Sequence, residues 1–174
     1  MANTDNPRGL TPYSPTGETV RCRKYKGSTT TDIFRGDVLA CNASGVVHAI
    51  VTTTGSAAIV GVAANHIDAS ASTSSQDVYV YDDPNQLFLI QDDGASATPA
   101  QTSVGSTFVL IVTTGDTVTG QSKMELDASS TGVTSTDPVQ VQGFITGPTL
   151  AIGKYATHIV ALNRHLYKKG SAGI

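Results

Sequence analysis

Two carboxylate pairs, Asp82-Asp83 and Asp92-Asp93, four histidines, two cysteines and one run of cations are the groups in this 174-residue chain whose types could do chemistry. Paired carboxylates serve hydrolysis when they face each other across a substrate. Here the pairs bracket a single expected strand, which sets them about 30 Å apart along an extended backbone and excludes one shared dyad within it. Either pair could offer oxygens to Ca²⁺, but neither sits in the D-x-[DN]-x-[DN]-G loop that wraps that ion, so turn formation is the favoured role. His48, His66, His158 and His165 lack the i, i+4 spacing that converges two imidazoles on zinc, and on one strand His158 and His165 point to opposite faces. Cys22 and Cys41 have no second pair, fit neither a zinc ribbon nor a disulfide framework, and are expected to be two packed, buried thiols. No metal and no cofactor is expected. Glycine motifs that cradle phosphate are missing, and Gly120-Gln121-Ser122-Lys123-Met124 breaks the G-x-S-x-G pattern at its last position. The chain is therefore read as not an enzyme; a hydrolase would need two of Asp82, Asp83, His48 and His66 to converge in a pocket.

The cations remain. On a strand, the alternating residues Arg21, Arg23 and Tyr25 of Arg21-Cys22-Arg23-Lys24-Tyr25-Lys26 share one face. A nucleic-acid site built on them is disfavoured, because the net charge is −3 and the pI is about 5.7, so phosphate would be repelled over most of the surface. The charge is unevenly spread: residues 1–36 hold six basic and three acidic groups, residues 37–150 hold Lys123 and eleven acids, and residues 151–174 hold four bases and no acid. Cationic ends on an acidic body suit docking onto an acidic surface.

Strands must position these groups. Val, Ile and Thr number 51 against 17 for Glu, Lys and Leu, which favours pleated strands over helices. With no Trp, four Phe and six Tyr, the core must be built from small aliphatic side chains. Pro7, Pro12, Pro15, Gly9 and Gly17 leave residues 1–17 as an extended arm that needs another surface to become ordered. Strands are expected near 18–26, 37–42, 45–51, 58–64, 77–81, 86–91, 107–113, 122–126, 139–145 and 157–166. Asn42-Ala43-Ser44-Gly45 marks a tight hairpin, and in Val78-Tyr79-Val80-Tyr81 the valines take one face and the phenols the other. Residues 68–76, 92–105 and 127–138 read as surface loops. The fold class is all-β: one antiparallel β-barrel or β-sandwich domain over 18–169, an extended N-terminal arm over 1–17 and a flexible tail over 170–174. Met1–Arg8 contains no apolar stretch, so synthesis in a cytosol without a secretory leader and without a membrane span is the expectation.

Ala2-Asn3-x-Asp5-x-Pro7-Arg8-Gly9-Leu10-x-Pro12, Phe34-Arg35-Gly36-Asp37-Val38, Val80-Tyr81-Asp82-Asp83-Pro84-Asn85-x-x-Phe88-x-Ile90-Gln91 and Asn163-x-His165-x-Tyr167 follow one another in an order that resembles the capsid decoration, or cement, proteins of tailed bacteriophages. The Tyr-Asp-Asp-Pro-Asn block and the N-terminal segment are its most specific pieces, and the loops at 65–76 and 92–105 depart from it. The resemblance implies a structural virion protein on the capsid exterior that binds the major capsid protein and stabilises the head, without catalysis. Self-association as a homotrimer, or a dimer, goes with it. Arg8, Leu10, Tyr13, Arg21, Arg23 and Tyr25 are the expected capsid-binding residues, since each joins an apolar body to a charged or phenolic tip or lies in a segment without its own core. Deleting residues 2–16 is expected to leave a folded domain. The alternative is a head fibre or host-receptor-binding component using the loops at 65–76 and 92–105, against which the scarcity of aromatic residues there counts.

Overall fold

A computed structural model describes residues 3–51, 59–71, 74–95, 99–148 and 150–168. The β-branched runs form twelve strands: β1 (Thr11–Tyr13), β2 (Arg23–Gly27), β3 (Val38–Cys41), β4 (Val46–Ala49), β5 (Ile59–Ala63), β6 (Asp77–Tyr81), β7 (Leu87–Gln91), β8 (Thr107–Phe108), β9 (Leu110–Ile111), β10 (Glu125–Leu126), β11 (Val139–Phe144) and β12 (Thr157–Leu162). The fold is all-β. Strands β2-β4-β3-β5-β6 close a small barrel, in which only the β2–β4 pair is parallel. Strands β1-β7-β12-β11-β8 make an antiparallel sheet, and β9 pairs with β10 beside it.

Pleating explains how the two bodies share a core. In β3, Leu39 points into the barrel, where it meets Val47, Val60, Val78 and Val80, while Val38 and Ala40 point outward onto the sheet. The sheet answers with Phe88, Ile90, Val160 and Leu162. Strand β5 is buried along its whole length because it faces the barrel lumen on one side and the sheet on the other, which is why it reads as an unbroken apolar run. The expected hairpin is present: Gly45 N–H donates to the Asn42 carbonyl at 3.0 Å with Gly45 at φ +75°. Val78 and Val80 are buried and Tyr79 faces solvent, as the alternation required, while Tyr81 is half-buried against the core shared with the sheet.

The leader differs from expectation. Its backbone is extended, but it is not a free arm. Asn3 Nδ2 donates to the carbonyls of Ala151 (2.8 Å) and Lys154 (2.9 Å), the Gln91 amide bonds both Asn6 N–H and the Thr4 carbonyl, and β1 adds to the edge of β7. Pro12 is tolerated there because an edge strand has one side on which no N–H is needed. Leu10 is 2% exposed and belongs to the shared core, next to Gly9 at φ +64°, where an added Cβ would lie 2.5 Å from the Gly36 carbonyl oxygen. Two expectations fall with this. Leu10 is not a partner-contact residue, because its side chain is already spent on its own core. Deleting residues 2–16 would not leave the domain intact, because it removes β1 and a core side chain. The strand expected over 18–26 begins only at Arg23, and that expected over 107–113 is split into β8 and β9. The cysteines are a further correction: Cys22 is exposed and Cys41 half-buried, since Cys22 precedes β2 outside the barrel wall. The tail expected over 170–174 lies outside the described residues.

Candidate functional site

Strand β2 runs antiparallel to β6, with Arg23 opposite Val80 and Tyr25 opposite Val78, so the side chains of Arg21, Arg23 and Tyr25 reach the end of the barrel where β6 gives way to Asp82. All three converge on that carboxylate. Arg21 Nε lies 3.3 Å from Oδ1, Arg23 Nε 3.2 Å from Oδ2, and the Tyr25 hydroxyl donates to Oδ2 at 2.8 Å. Asp82 itself is fully buried, whereas the two arginine side chains keep 45% and 52% of their surface. A buried carboxylate needs donors and charge around it; here β2 supplies both, and in return the guanidiniums are held in place at the surface. Arg21 also donates through Nη2 to the Asp82 carbonyl at 3.4 Å.

The C-terminal segment completes the patch. Tyr167, next to the Tyr25 hydroxyl, is 54% exposed, and its neighbour Leu166 is 47% exposed. Burial, then the hydrogen bonds to Tyr167 and Asp82, hold the Tyr25 phenol well above the usual tyrosine range. On the other side of β2, Lys24 and Lys26 both reach Asp77, at 3.1 and 2.6 Å, and keep its carboxyl below the ordinary aspartate range. The result is a strip of four cations on two acids, bordered by exposed Leu166 and Tyr167. Cys22 lies within it but is no activated nucleophile, because burial and the Asp82 charge push its thiol up.

The other expected contact residues lie elsewhere. Arg8 is exposed on the leader, and Tyr13 is half-buried opposite Leu87 at the sheet edge. One pairing was invisible in the sequence. Asp92 and His158 are both fully buried, with Nε2 2.9 Å from Oδ2, and Asp92 also accepts from the N–H groups of Gly94, Tyr155 and Ala156. A dyad sealed from solvent meets no substrate; it fastens the 92–95 and 153–156 loops to β12. Asp82 likewise is engaged by arginines and a phenol. Among the described residues no three His, Cys, Asp or Glu side chains gather to hold a metal ion, and no helix is long and apolar enough to cross a membrane. Chemically, held guanidiniums and phenols next to apolar surface are groups complementary to carboxylates. Comparisons with protein-family models, with curated proteins and with solved structures find no match to this chain.

Proposed function

We propose that this chain is a capsid decoration protein of a tailed bacteriophage, which binds the outer surface of the major capsid protein shell and stabilises the head. The observation that carries the reading is the strip on β2. Arg21, Arg23 and Tyr25 are assembled around one buried carboxylate, with exposed Tyr167 next to Tyr25 and Leu166 adjacent to it in the chain, in a protein otherwise acidic. Arg and Tyr next to apolar surface is the composition of interface hot spots, and the anchoring acid lowers the entropy that their long side chains would lose on docking. The resemblance carried by the Tyr-Asp-Asp-Pro-Asn block and the leader names the partner. Repetition over a symmetric shell would turn a modest contact into high occupancy. The leader plays no anchoring part by becoming ordered, since it already has its own seat.

The test is the copy number of this chain against the major capsid protein in purified particles, by quantitative mass spectrometry. A ratio near parity, falling when Arg21 and Arg23 are replaced by Ala, is expected. About a dozen copies per particle, the number a symmetric vertex or tail ring would hold, or none at all, overturns the proposal.

A further inference from the structure

Lys123 is the single basic residue between positions 37 and 150. The fold brings it to Arg8 of the leader and Arg35 before β3, and the three line one surface pocket of about 460 Å³. The pocket is built. Gln121 Nε2 donates to the carbonyls of Arg8 (2.6 Å) and Arg35 (2.9 Å), and Gln121 Oε1 accepts from Arg35 Nε (3.1 Å) and Nη2 (2.6 Å). One glutamine thus fixes the two backbones that carry the arginines and orients one guanidinium.

The charge in the pocket is only partly spent. Among the described residues neither Arg8, Arg35 nor Lys123 has an ion-pair partner within 4.0 Å. Two acids share the lining. Asp116 closes its own turn, accepting from Thr119 N–H at 3.2 Å and Val118 N–H at 2.8 Å, and it also feels the Lys123 charge; together these hold its carboxyl below the usual aspartate range. Asp5 leaves the cations in excess by three to two. A concave site with one oriented guanidinium and two further exposed cations, in net excess over its two acids, is complementary to a carboxylate.

We infer that this pocket receives a carboxylate side chain from an acidic polypeptide segment of the docking partner, as a second contact distinct from the β2 strip. The inference rests on the reading that the chain docks on another protein. Nucleic acid is disfavoured because the surface beyond the pocket is acidic and would oppose an extended phosphate backbone.

The experiment uses the full, isotopically labelled chain and three probes: a hexa-aspartate peptide, a hexa-asparagine peptide and inorganic phosphate. Hexa-aspartate is expected to shift the Arg35 Nε–H and Gln121 side-chain amide resonances in a salt-dependent way, and hexa-asparagine to leave them in place. Lys123→Gln, at an exposed position that leaves the fold alone, is expected to weaken the peptide by about three- to tenfold. Phosphate binding as tightly as the peptide makes this a small-oxyanion site and overturns the inference. So does a peptide response confined to Arg21 and Arg23, or one that Lys123→Gln leaves unchanged. Particle copy number is an independent readout: absence of the chain from virions with peptide binding intact refutes the capsid role alone, and near parity without peptide binding refutes the pocket alone.

Discussion

Replacing Leu10 by Ala tests whether the leader is part of the domain in solution. Leu10 is 2% exposed and packs in the core shared by barrel and sheet, with its N–H donating to the Gly36 carbonyl at 2.9 Å. Truncating a fully buried leucine costs about 2–5 kcal/mol, the spread depending on how far the site collapses. Two features place Leu10 in the middle of that range. Gly9 and Gly36 are crossed too closely for either backbone to close over the gap, since a Cβ on Gly36 would lie 2.6 Å from the Arg8 carbonyl oxygen. Against this, the leader lies at the sheet edge and can peel away, exchanging part of the cavity cost for lost β1 ladder bonds. At about 2–4 °C per kcal/mol for a domain of this size, the melting temperature should fall by roughly 6–14 °C. The assay is thermal and urea unfolding of both proteins, with tryptic cleavage after Arg8 as a local readout that should accelerate in the variant. A loss below about 0.5 kcal/mol, the range of ordinary surface substitutions, with cleavage at Arg8 equally fast in both, would refute the docked leader.

Asp82→Asn keeps the shape at the barrel end but removes the charge on which Arg21, Arg23 and Tyr25 converge; stability should fall by about 1–3 kcal/mol in denaturant unfolding, and NMR titration should find the Tyr25 phenol moved back toward the usual range. Glu125, pushed up to about 7 by burial and then by the charges of Asp5, Asp93 and Asp92, holds a proton in the folded state that the unfolded chain releases near 4.5. Its ionisation therefore costs stability as pH rises between about 4.5 and 7, so Glu125→Gln should stabilise the protein at pH 8 and have little effect at pH 4, as read from urea midpoints at the two pH values.

What could be read from the sequence was local. The β3 hairpin follows from Asn42 and Gly45, the two faces of β6 from Val-Tyr alternation, and the double burial of β5 from Ile59-Val60-Gly61-Val62-Ala63; in each, the determinant lies within a few residues. That Arg21, Arg23 and Tyr25 share a face is legible for the same reason. Their common target is not. Asp82 and Asp83 are adjacent and chemically identical, and only the β2–β6 register decides that the first is buried under two arginines while the second begins a turn. Tyr167 meets Tyr25 across 142 residues of chain, a contact with no periodic signature. The docking of the leader is not legible, because proline and glycine forbid a helix but do not forbid an edge strand, and a three-residue ladder with Pro12 in it carries almost no pattern. Gly9 was the available clue, as a residue without a side chain where two backbones cross.

Four buried acids explain how a domain with so few large apolar side chains keeps its loops in place. Asp37, Asp82, Asp92 and Asp137 are all buried. Each ties segments that are remote in the chain or closes a tight turn: Asp37 accepts from Phe34 N–H at 2.8 Å, Asp137 from the Thr107 hydroxyl at 2.7 Å, and Asp92 from three backbone N–H groups and His158. Val and Ala can fill space in a barrel but cannot specify a Ser- and Thr-rich loop, whereas a carboxylate with short, directional acceptors can, at the cost of its desolvation. That cost is visible at Asp37, whose carboxyl burial raises despite its hydrogen bonds. The same device builds the candidate interface: Asp82 orders exposed cations as Asp92 orders loops, so a single physical solution, a buried acid with its donors arranged around it, accounts for both the rigidity of the scaffold and the fixed geometry of the surface it presents.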